Sequence, residues 1–461
     1  MPLFKRNSVS DPENYRAINL TAQISKAVER YLYPFFAPLL EARAFGYAQF
    51  AYRKGHGARD AVLYYVLSWI DGLNDGFKIG IYCSDVSGSF DRVDADILIK
   101  KLESFGLNEN LVSVIRSWLR QRKGFVIVSG EKSEAMHLSN MVYQGTVWGP
   151  PLWNVHFGDC ICSITCCGFE TVVYADDCNA FRRFHRHVAN NVVLEQLLEC
   201  QASLHAWGRA NRVIFDAGKE DTMIVSTVDP LGGPIMLLGI NFDNKLIMAN
   251  AVHKCATTAA WKTRALLRTR RFYSTLDLVM MYKSHVLSYI EYRTPGIHFA
   301  CTSVLQDIDD VQKRFLHQIE LSEEIAFLEY NLALLCVRRD IAILGCIHRA
   351  AMHQGPPALW KFFRRAEVTR AYNTRQTQSH SLQIAEWTRG RNLEIMRRSA
   401  FGMIRLHNLL QQDTVEKADV KSFQSALTQF VRDRLNGRDH EWRFLLSPQH
   451  QLFNTHPLRH H

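Results

Sequence analysis

Two adjacent acids set between two short β-branched runs constrain this chain more than any other stretch. Tyr174-Ala175-Asp176-Asp177 is preceded by Glu170-Thr171-Val172-Val173 and followed by Cys178-Asn179-Ala180-Phe181. That pattern reads as strand, turn, strand, with Asp176 and Asp177 at the turn of a hairpin. A strand pair with a carboxylate at its tip can hold a hard cation rigidly. The same string also fits a solvated turn, so its meaning depends on what else the chain supplies, and in what order.

A third acid comes about ninety residues earlier. Lys78-Ile79-Gly80-Ile81-Tyr82-Cys83-Ser84-Asp85-Val86 reads as a strand that ends in Asp85. Two carboxylate-bearing strands that meet in one sheet could clamp two divalent ions ~3.5–4 Å apart, an arrangement suited to in-line displacement at phosphorus. Mg²⁺ accepts a few carboxylates and completes its shell with substrate oxygens.

The surrounding chain is long enough, at 461 residues, and apolar enough, at 47%, to bury more than one core. No apolar run approaches the ~20 residues of a membrane span. Residues 1–30 do not read as a secretory signal, because Met1-Pro2-Leu3-Phe4-Lys5-Arg6 runs straight into polar residues. Eleven cysteines spread over this length suit a reducing compartment better than a disulfide scaffold. Cys160, Cys162, Cys166 and Cys167 cluster without zinc spacing and read as small buried residues, with metal ligation the alternative. The net charge of +10 is unevenly placed: between Ala251 and Ala300 eight Lys or Arg face only Asp277 and Glu291. Such a block is either a solvated helix face or a track for a polyanion.

Helical spacing of Ile24, Val28, Tyr31, Leu32 and Phe35 predicts a helix with that stripe inward, stopped at Pro38. Gln49 to Gly57 reads as a basic, Gly-containing loop able to cradle a phosphate, or as an ordinary connection. It opens a second helix with Val62, Tyr65, Val66, Trp69, Ile70 and Leu73 on its apolar face. Further helices are expected from Asp94 to Gly106, around Leu111 to Leu119, and from Val192 to Trp207. Short strands are expected at Gly124–Ser129, Val213–Phe215, Met223–Val225 and from Ile235 to Phe242, with nearly all helix beyond Ala251. In that basic block Trp261, Ala265 and Leu266 are read as inward, and Arg264, Arg268 and Arg271 as one exposed face that could follow an A-like heteroduplex.

The order of these blocks resembles the reverse transcriptase of non-LTR (LINE-type) retrotransposons over nearly the full length. The match runs through Pro2-Leu3-Phe4-Lys5, Asn14 to Leu20, Gln49 to Gly55, Asp85 to Asp91, Gln144 to Pro150 and Tyr174 to Asp177. It continues through Trp207, Asn211 and Lys219, Leu238-Gly239-Ile240, Tyr282-Lys283-Ser284, Ser288 to Tyr292, and Ser422-Phe423 with Leu427 and Phe430. The resemblance implies an α+β right-hand polymerase: fingers at 1–78, a palm with an antiparallel sheet at 79–249, a thumb-like helical domain at 250–340, and a C-terminal helical region at 341–461.

It implies an RNA-directed DNA polymerase acting on an RNA template, a DNA primer and dNTPs, with two Mg²⁺ ions, or Mn²⁺, held by Asp85, Val86, Asp176 and Asp177. It also implies a work place inside the cell, in the nucleus or a cytoplasmic ribonucleoprotein, with no membrane partner. Phe90 would exclude a ribose 2′-OH, with plain core packing the alternative. Gln144, Gly145, Val86 and Ser87 would line the nucleotide pocket. Arg16, Arg53 and Lys54 would meet phosphates, and Lys219 would protonate pyrophosphate or lie on the surface. The match begins inside the fingers, so an opening segment and an upstream endonuclease are expected to be absent. Tyr143, Trp148 and Pro151 stand where the family more commonly has Pro, Leu and Leu. Two other readings are a group II intron-type enzyme with maturase function and a catalytically inactive nucleic-acid-binding relic.

Overall fold

The computed structural model describes residues 2–4, 8–120, 122–138, 141–366, 380–387, 390–391, 393–448, 456 and 458. The strands are β1 (Pro2–Phe4), β2 (Tyr15–Ala17), β3 (Phe77–Ser84), β4 (Arg122–Gly124), β5 (Ile127–Val128), β6 (Glu131–Lys132) and β7 (Met136–Leu138). They continue with β8 (Glu170–Tyr174), β9 (Asp177–His185), β10 (Asp221–Val225), β11 (Ile235–Leu237) and β12 (Ile240–Phe242). One four-stranded sheet has the order β10-β3-β9-β8, and the other strands form two-stranded ladders. The α+β class expected from the sequence is therefore the one observed, with an antiparallel β8–β9 hairpin in that sheet.

The first unit comprises Met1–Gly57, Gly80–Arg182 and Ala189–Thr222. Its helices are α1 (Gln23–Arg43), and, after α2 (Ala58–Asn74) of the other unit, α3 (Ala95–Ser104), α4 (Glu109–Leu119), α5 (Gly149–Phe157), α6 (Cys160–Thr165) and α7 (Asn190–Asn211). The start of α3 is where the sequence puts it, because the Asp94 carboxylate accepts the N–H groups of Asp96 and Ile97.

Helix α1 departs from expectation twice. It runs through Pro34 and Pro38 to Arg43, and its buried residues are Glu29, Phe36, Ala37 and Leu40. The stripe expected inward is outward instead: Ile24 is 81% exposed and Tyr31 72%. Periodicity locates an apolar stripe but does not say which side the core lies on. Two smaller expectations also change. Val213–Phe215 forms a single bridge, Val86 with Phe215, and not a strand, and Cys162 and Cys166 are exposed.

The second unit comprises Ala58–Ile79, Arg183–Val188 and Met223–His461. It holds α2, then α8 (Ala249–Leu267), α9 (Thr275–Tyr282), α10 (Ser288–Tyr292), α11 (Thr294–Ile297), α12 (Thr302–Gln318), α13 (Glu323–Leu328), α14 (Leu335–Ala351) and the later helices Ala400–Leu409 and Val420–Asn436. From Asp60 to Asn74, α2 is buried on every side, as a central helix must be when other elements surround it. Among the described residues no helix is long and apolar enough to cross a membrane.

One ion pair ties α12 to α14. Arg339 donates Nη1 and Nη2 to the two carboxylate oxygens of Asp309 at 2.6 and 2.8 Å, with the arginine side chain only 9% exposed. Removing one partner from such a pair leaves a buried charge, at a cost of about 3–5 kcal/mol, whereas an apolar replacement of both is far milder. Asp309→Ala should therefore lower the urea midpoint sharply, and Asp309→Leu combined with Arg339→Met should recover most of the loss. Equal destabilisation by the single and double variants would show that the pair carries no such coupling.

Candidate active site

The hairpin tip is built differently from the simple two-acid turn. Tyr174 pairs with Asp177, so the two loop residues are Ala175 and Asp176, and Asp177 is already the first residue of β9. The expected turn at Asp176–Asp177 is thus displaced by one residue. The first loop position needs a left-handed backbone, which Ala175 adopts at φ +59°. An alanine there is strained by about 1–2 kcal/mol. The surroundings hold it on both sides. The buried Gln49 side chain accepts the Ala175 N–H at 3.2 Å and the Ala51 N–H at 2.9 Å, while the Trp153 indole N–H donates to the Ala175 carbonyl at 2.9 Å.

The edge of β8 is covered by the same segment, through Phe50 N–H to the Val173 carbonyl and Val173 N–H to the Ala48 carbonyl. The Gln49–Gly57 loop therefore serves the hairpin. Arg53 is part of that work: its Nη1 donates to the carbonyls of Gly46 at 2.7 Å and Gln49 at 3.3 Å. Lys54 is exposed, and the side chain of Arg16 lies outside the described residues, although its backbone pairs with Leu3.

Asp85 follows the end of β3, and the residues after it are pinned. The Asp85 carbonyl accepts from Asp216 N–H, and Ser87 N–H donates to the Ile214 carbonyl, both at 2.9 Å. Those bonds leave the Val86 N–H and carbonyl facing away from Phe215, as in a non-hydrogen-bonded antiparallel pair. The Ser87 amide, expected to meet a triphosphate, is already used, so only its hydroxyl stays available for that purpose. The same ladder delivers Lys219, whose ammonium lies on Asp85 and 3.4 Å from Asp216. The neighbouring Asp85 carboxylate raises Lys219 above the ordinary lysine range.

Asp85, Asp176 and Asp177 act on one another. Burial, and then the charges of Asp176 and Asp85, push the Asp177 carboxyl up to about 7, against a smaller opposing pull from Lys219. Ser89 donates its hydroxyl to Asp176 at 3.3 Å. These hard oxygen donors and their concentrated negative charge fit a divalent ion. Among the described residues no three acid, histidine or cysteine side chains close around a point as a metal cage. Further ligands would have to come from water and substrate, as Mg²⁺ accepts.

Phe90 is 7% exposed and stacks on Trp153 at 5.8 Å and 17°, with Tyr52 edge-on at 6.2 Å. Its carbonyl accepts the Val142 N–H, which ties it to the turn carrying Gln144 and Gly145. Gly145 has φ +88°, and a Cβ there would lie 2.9 Å from the Asn19 carbonyl oxygen, so only glycine fits. The far end of the turn is held by Glu29, 1% exposed, which accepts from Val147 N–H at 2.6 Å, Trp148 N–H at 3.3 Å and the Trp118 indole at 2.9 Å.

Gln49, Trp153 and Glu29 are the functional supports that sequence reasoning missed. Gln49 lay in a matched block without a role, and Glu29 sat on the side of α1 taken for solvent. Of the expected nucleic-acid arginines, Arg264 lies on α8 and Arg268 caps it, whereas Arg271 belongs to the following 3-10 turn. Trp261 and Ala265, expected inward, are exposed, and Leu266 is half-buried.

The sequence family described as reverse transcriptase (RNA-dependent DNA polymerase) matches residues 5–235. The chain belongs to the reverse transcriptase family. Relatives include the probable RNA-directed DNA polymerase from transposon BS of Drosophila melanogaster, 27% identical over half of this chain and 26% of that protein. Another is the RNA-directed DNA polymerase from mobile element jockey of Drosophila funebris, 26% identical over 45% of this chain and 23% of that one. The reverse transcriptase chain spans about a quarter of the length of these curated relatives. Both belong to non-LTR (LINE-type) elements, the branch its sequence blocks resemble. Among solved structures, apo telomerase from Candida tropicalis aligns at 9% identity and a TM-score of 0.38, covering 64% of this chain and 50% of that one. Reverse transcriptases generally use divalent metal ions.

The raised Asp177 pKa has a measurable consequence without metal. An acid raised in the folded state stabilises the fold while protonated, fully below its unfolded pKa of ~3.9. That contribution is lost as pH rises through about 7. In EDTA the wild-type chain should lose thermal stability relative to Asp177→Asn between about pH 4 and pH 7, and Mg²⁺ should oppose the loss. Parallel stability curves for the two proteins would contradict the assignment.

Proposed function

We propose that this chain is the core of an RNA-directed DNA polymerase of non-LTR retrotransposon type, extending a DNA primer on an RNA template by two-metal phosphoryl transfer. The observation that carries this reading is the placing of Asp85, after β3, in the field of Asp176 and Asp177 at the β8–β9 tip, with Lys219 beside them. Fingers (1–78), palm (79–249), thumb-like domain (250–340) and C-terminal helical region (341–461) are the corresponding functional segments. Its setting would be an intracellular ribonucleoprotein.

In this reading Asp85, Asp176, Asp177 and the Val86 carbonyl hold two Mg²⁺ ions, with Mn²⁺ able to replace them. When bound, such ions lower the pKa of the primer hydroxyl and stabilise charge on the leaving pyrophosphate. The chain's own residues do the rest. The fixed hairpin tip prevents Asp176 from swinging away under repulsion. Lys219 offers a proton-bearing cation beside Asp85. Gln144 and Gly145 position the incoming dNTP, the Ser87 hydroxyl and Lys54 meet its phosphates, and Phe90 limits space at the sugar. Arg264 and Arg268, with Arg271, contribute contacts to nucleic-acid phosphates. No observation favours the intron-type or inactive readings.

Primer extension on poly(rA)/oligo(dT) with Mg²⁺ tests the proposal. Wild-type protein should extend the primer, and Asp85→Asn or Asp176→Asn should reduce the rate by several orders of magnitude while leaving the folded spectrum unchanged. Near wild-type extension by either variant would sink this site.

Phe90→Ala should change selectivity in the same assay. Truncating a side chain that discriminates by clash lets the excluded substrate in. The dNTP/rNTP ratio of kcat/KM is the measurement to use, because the fraction of folded enzyme cancels from it. The ratio should fall; an unchanged ratio would leave Phe90 as packing against Trp153.

A further inference from the structure

Tyr52 sits on a backbone that suits it badly. Its φ is +58°, in the left-handed region that a bulky side chain rarely enters. Glycine would adopt that conformation freely, and asparagine more readily than tyrosine. It persists here because the residues on either side are held. The Ala51 N–H donates to the Gln49 side chain at 2.9 Å, and the Ala51 carbonyl accepts from the Asn154 side-chain amide at 3.0 Å. Arg53, which follows, is tied to the carbonyls of Gly46 and Gln49. Gln49 and Asn154 are fully buried, so this strap cannot relax without breaking buried hydrogen bonds.

What the strain secures is the position of a ring. Tyr52, 44% exposed, stands edge-on to Phe90 at 6.2 Å and 83°. Phe90 thus has two ring neighbours of different kinds: the buried Trp153, stacked at 5.8 Å and 17°, and Tyr52, crossing it near a right angle. A stacked pair can slide in its plane, and a ring set across it removes that freedom. The same supports reach the hairpin tip. Trp153 and Asn154 are consecutive on α5, and Gln49 and Trp153 also hold the backbone of Ala175. Ser89, next to Phe90, donates to Asp176. The placing of Tyr52 and Phe90 relative to the carboxylates is thereby fixed.

We infer that Tyr52 is a positioning residue for the choice between deoxyribo- and ribonucleotides: its ring braces Phe90 so that Phe90 cannot turn aside when a ribose 2′-OH presses on it. The inference rests on the reading of Phe90 as the residue that limits space at the sugar, and adds what keeps that residue rigid. Exclusion by clash works only as far as the clashing group cannot yield. Trp153 alone leaves Phe90 free to slide along the stacked face; Tyr52 blocks that movement. The bracing contact is between rings and does not call on the Tyr52 hydroxyl.

The experiment is primer extension by the full chain on poly(rA)/oligo(dT) with Mg²⁺, comparing kcat/KM for dTTP and UTP. Tyr52→Ala should lower the dTTP/UTP ratio about two- to tenfold, the scale of one edge-to-face pair. It should do so by raising kcat/KM for UTP, whereas loss of a merely structural support slows both substrates. Tyr52→Phe keeps the ring and should discriminate like wild type. Tyr52→Gly removes ring and strain together, so it should melt at a higher temperature than Tyr52→Ala yet select no better. In a Phe90→Ala background Tyr52→Ala should change the ratio no further, because nothing is left to brace. An unchanged ratio in Tyr52→Ala, a fall that comes only from slower dTTP use, selectivity regained in Tyr52→Gly, or full additivity of the two alanine variants would overturn the inference. A wild-type chain that extends no primer, or Phe90→Ala with an unchanged ratio, sinks the Phe90 reading and this inference with it. Phe90→Ala that lowers the ratio beside a Tyr52→Ala that does not sinks this inference alone.

Discussion

Asp85, Asp176 and Asp177 repel one another, and in unit 1 the fold, not any attraction between them, keeps them together. Burial first, and then the charges of Asp176 and Asp85, push the Asp177 carboxyl up to about 7. Holding the group requires rigid supports from outside it. Gln49 and Trp153 grip the backbone of Ala175 from opposite sides, so the turn cannot relax to spread the acids. The 214–216 segment grips Asp85 through its carbonyl and supplies Lys219 as a counter-charge. Perturbed carboxyl groups of this kind cluster at functional sites.

The same logic extends to the pocket side of unit 1. The turn carrying Gln144 and Gly145 is fastened at one end to the Phe90 carbonyl and at the other to the buried carboxylate of Glu29. Glu29 takes three N–H donors and so satisfies two backbone groups and an indole that burial would otherwise orphan. The aromatic run Phe90, Trp153 and Phe157 stacks through the unit, with Trp207 edge-on at its end, and the Trp153 indole N–H ties α5 to the Ala175 carbonyl at the hairpin turn. Position at the site is therefore set by hydrogen bonds to main-chain atoms, which a small side-chain shift does not disturb.

Unit 2 manages charge in the opposite way in two places. Asp309 and Arg339 neutralise each other inside the helical core, whereas the arginines of the α8–α12 cleft stay without acids. A core cannot tolerate an unpaired ion, while a surface can keep one for a partner.

The sequence by itself determined the pieces that depend on neighbours in the chain. The β8–β9 hairpin, β3 leading to Asp85, the start of α3 near Asp94, the apolar stripe of α2 and the helical second half were all legible, because local spacing and turn chemistry decide them. So was the family, through the order of Asp85, Gln144-Gly145 and Tyr174 to Asp177. Only the tertiary structure decided which side of α1 is buried, that Arg53 serves carbonyls, that Trp261 faces outward, and that Gln49, Trp153 and Glu29 are the supports. Apart from the local bonds of Arg53, those outcomes turn on contacts between residues tens to more than a hundred positions apart. A one-dimensional pattern records which residues are apolar or charged; the free energy of burying them depends on what lies opposite, and that is settled only when the chain has folded.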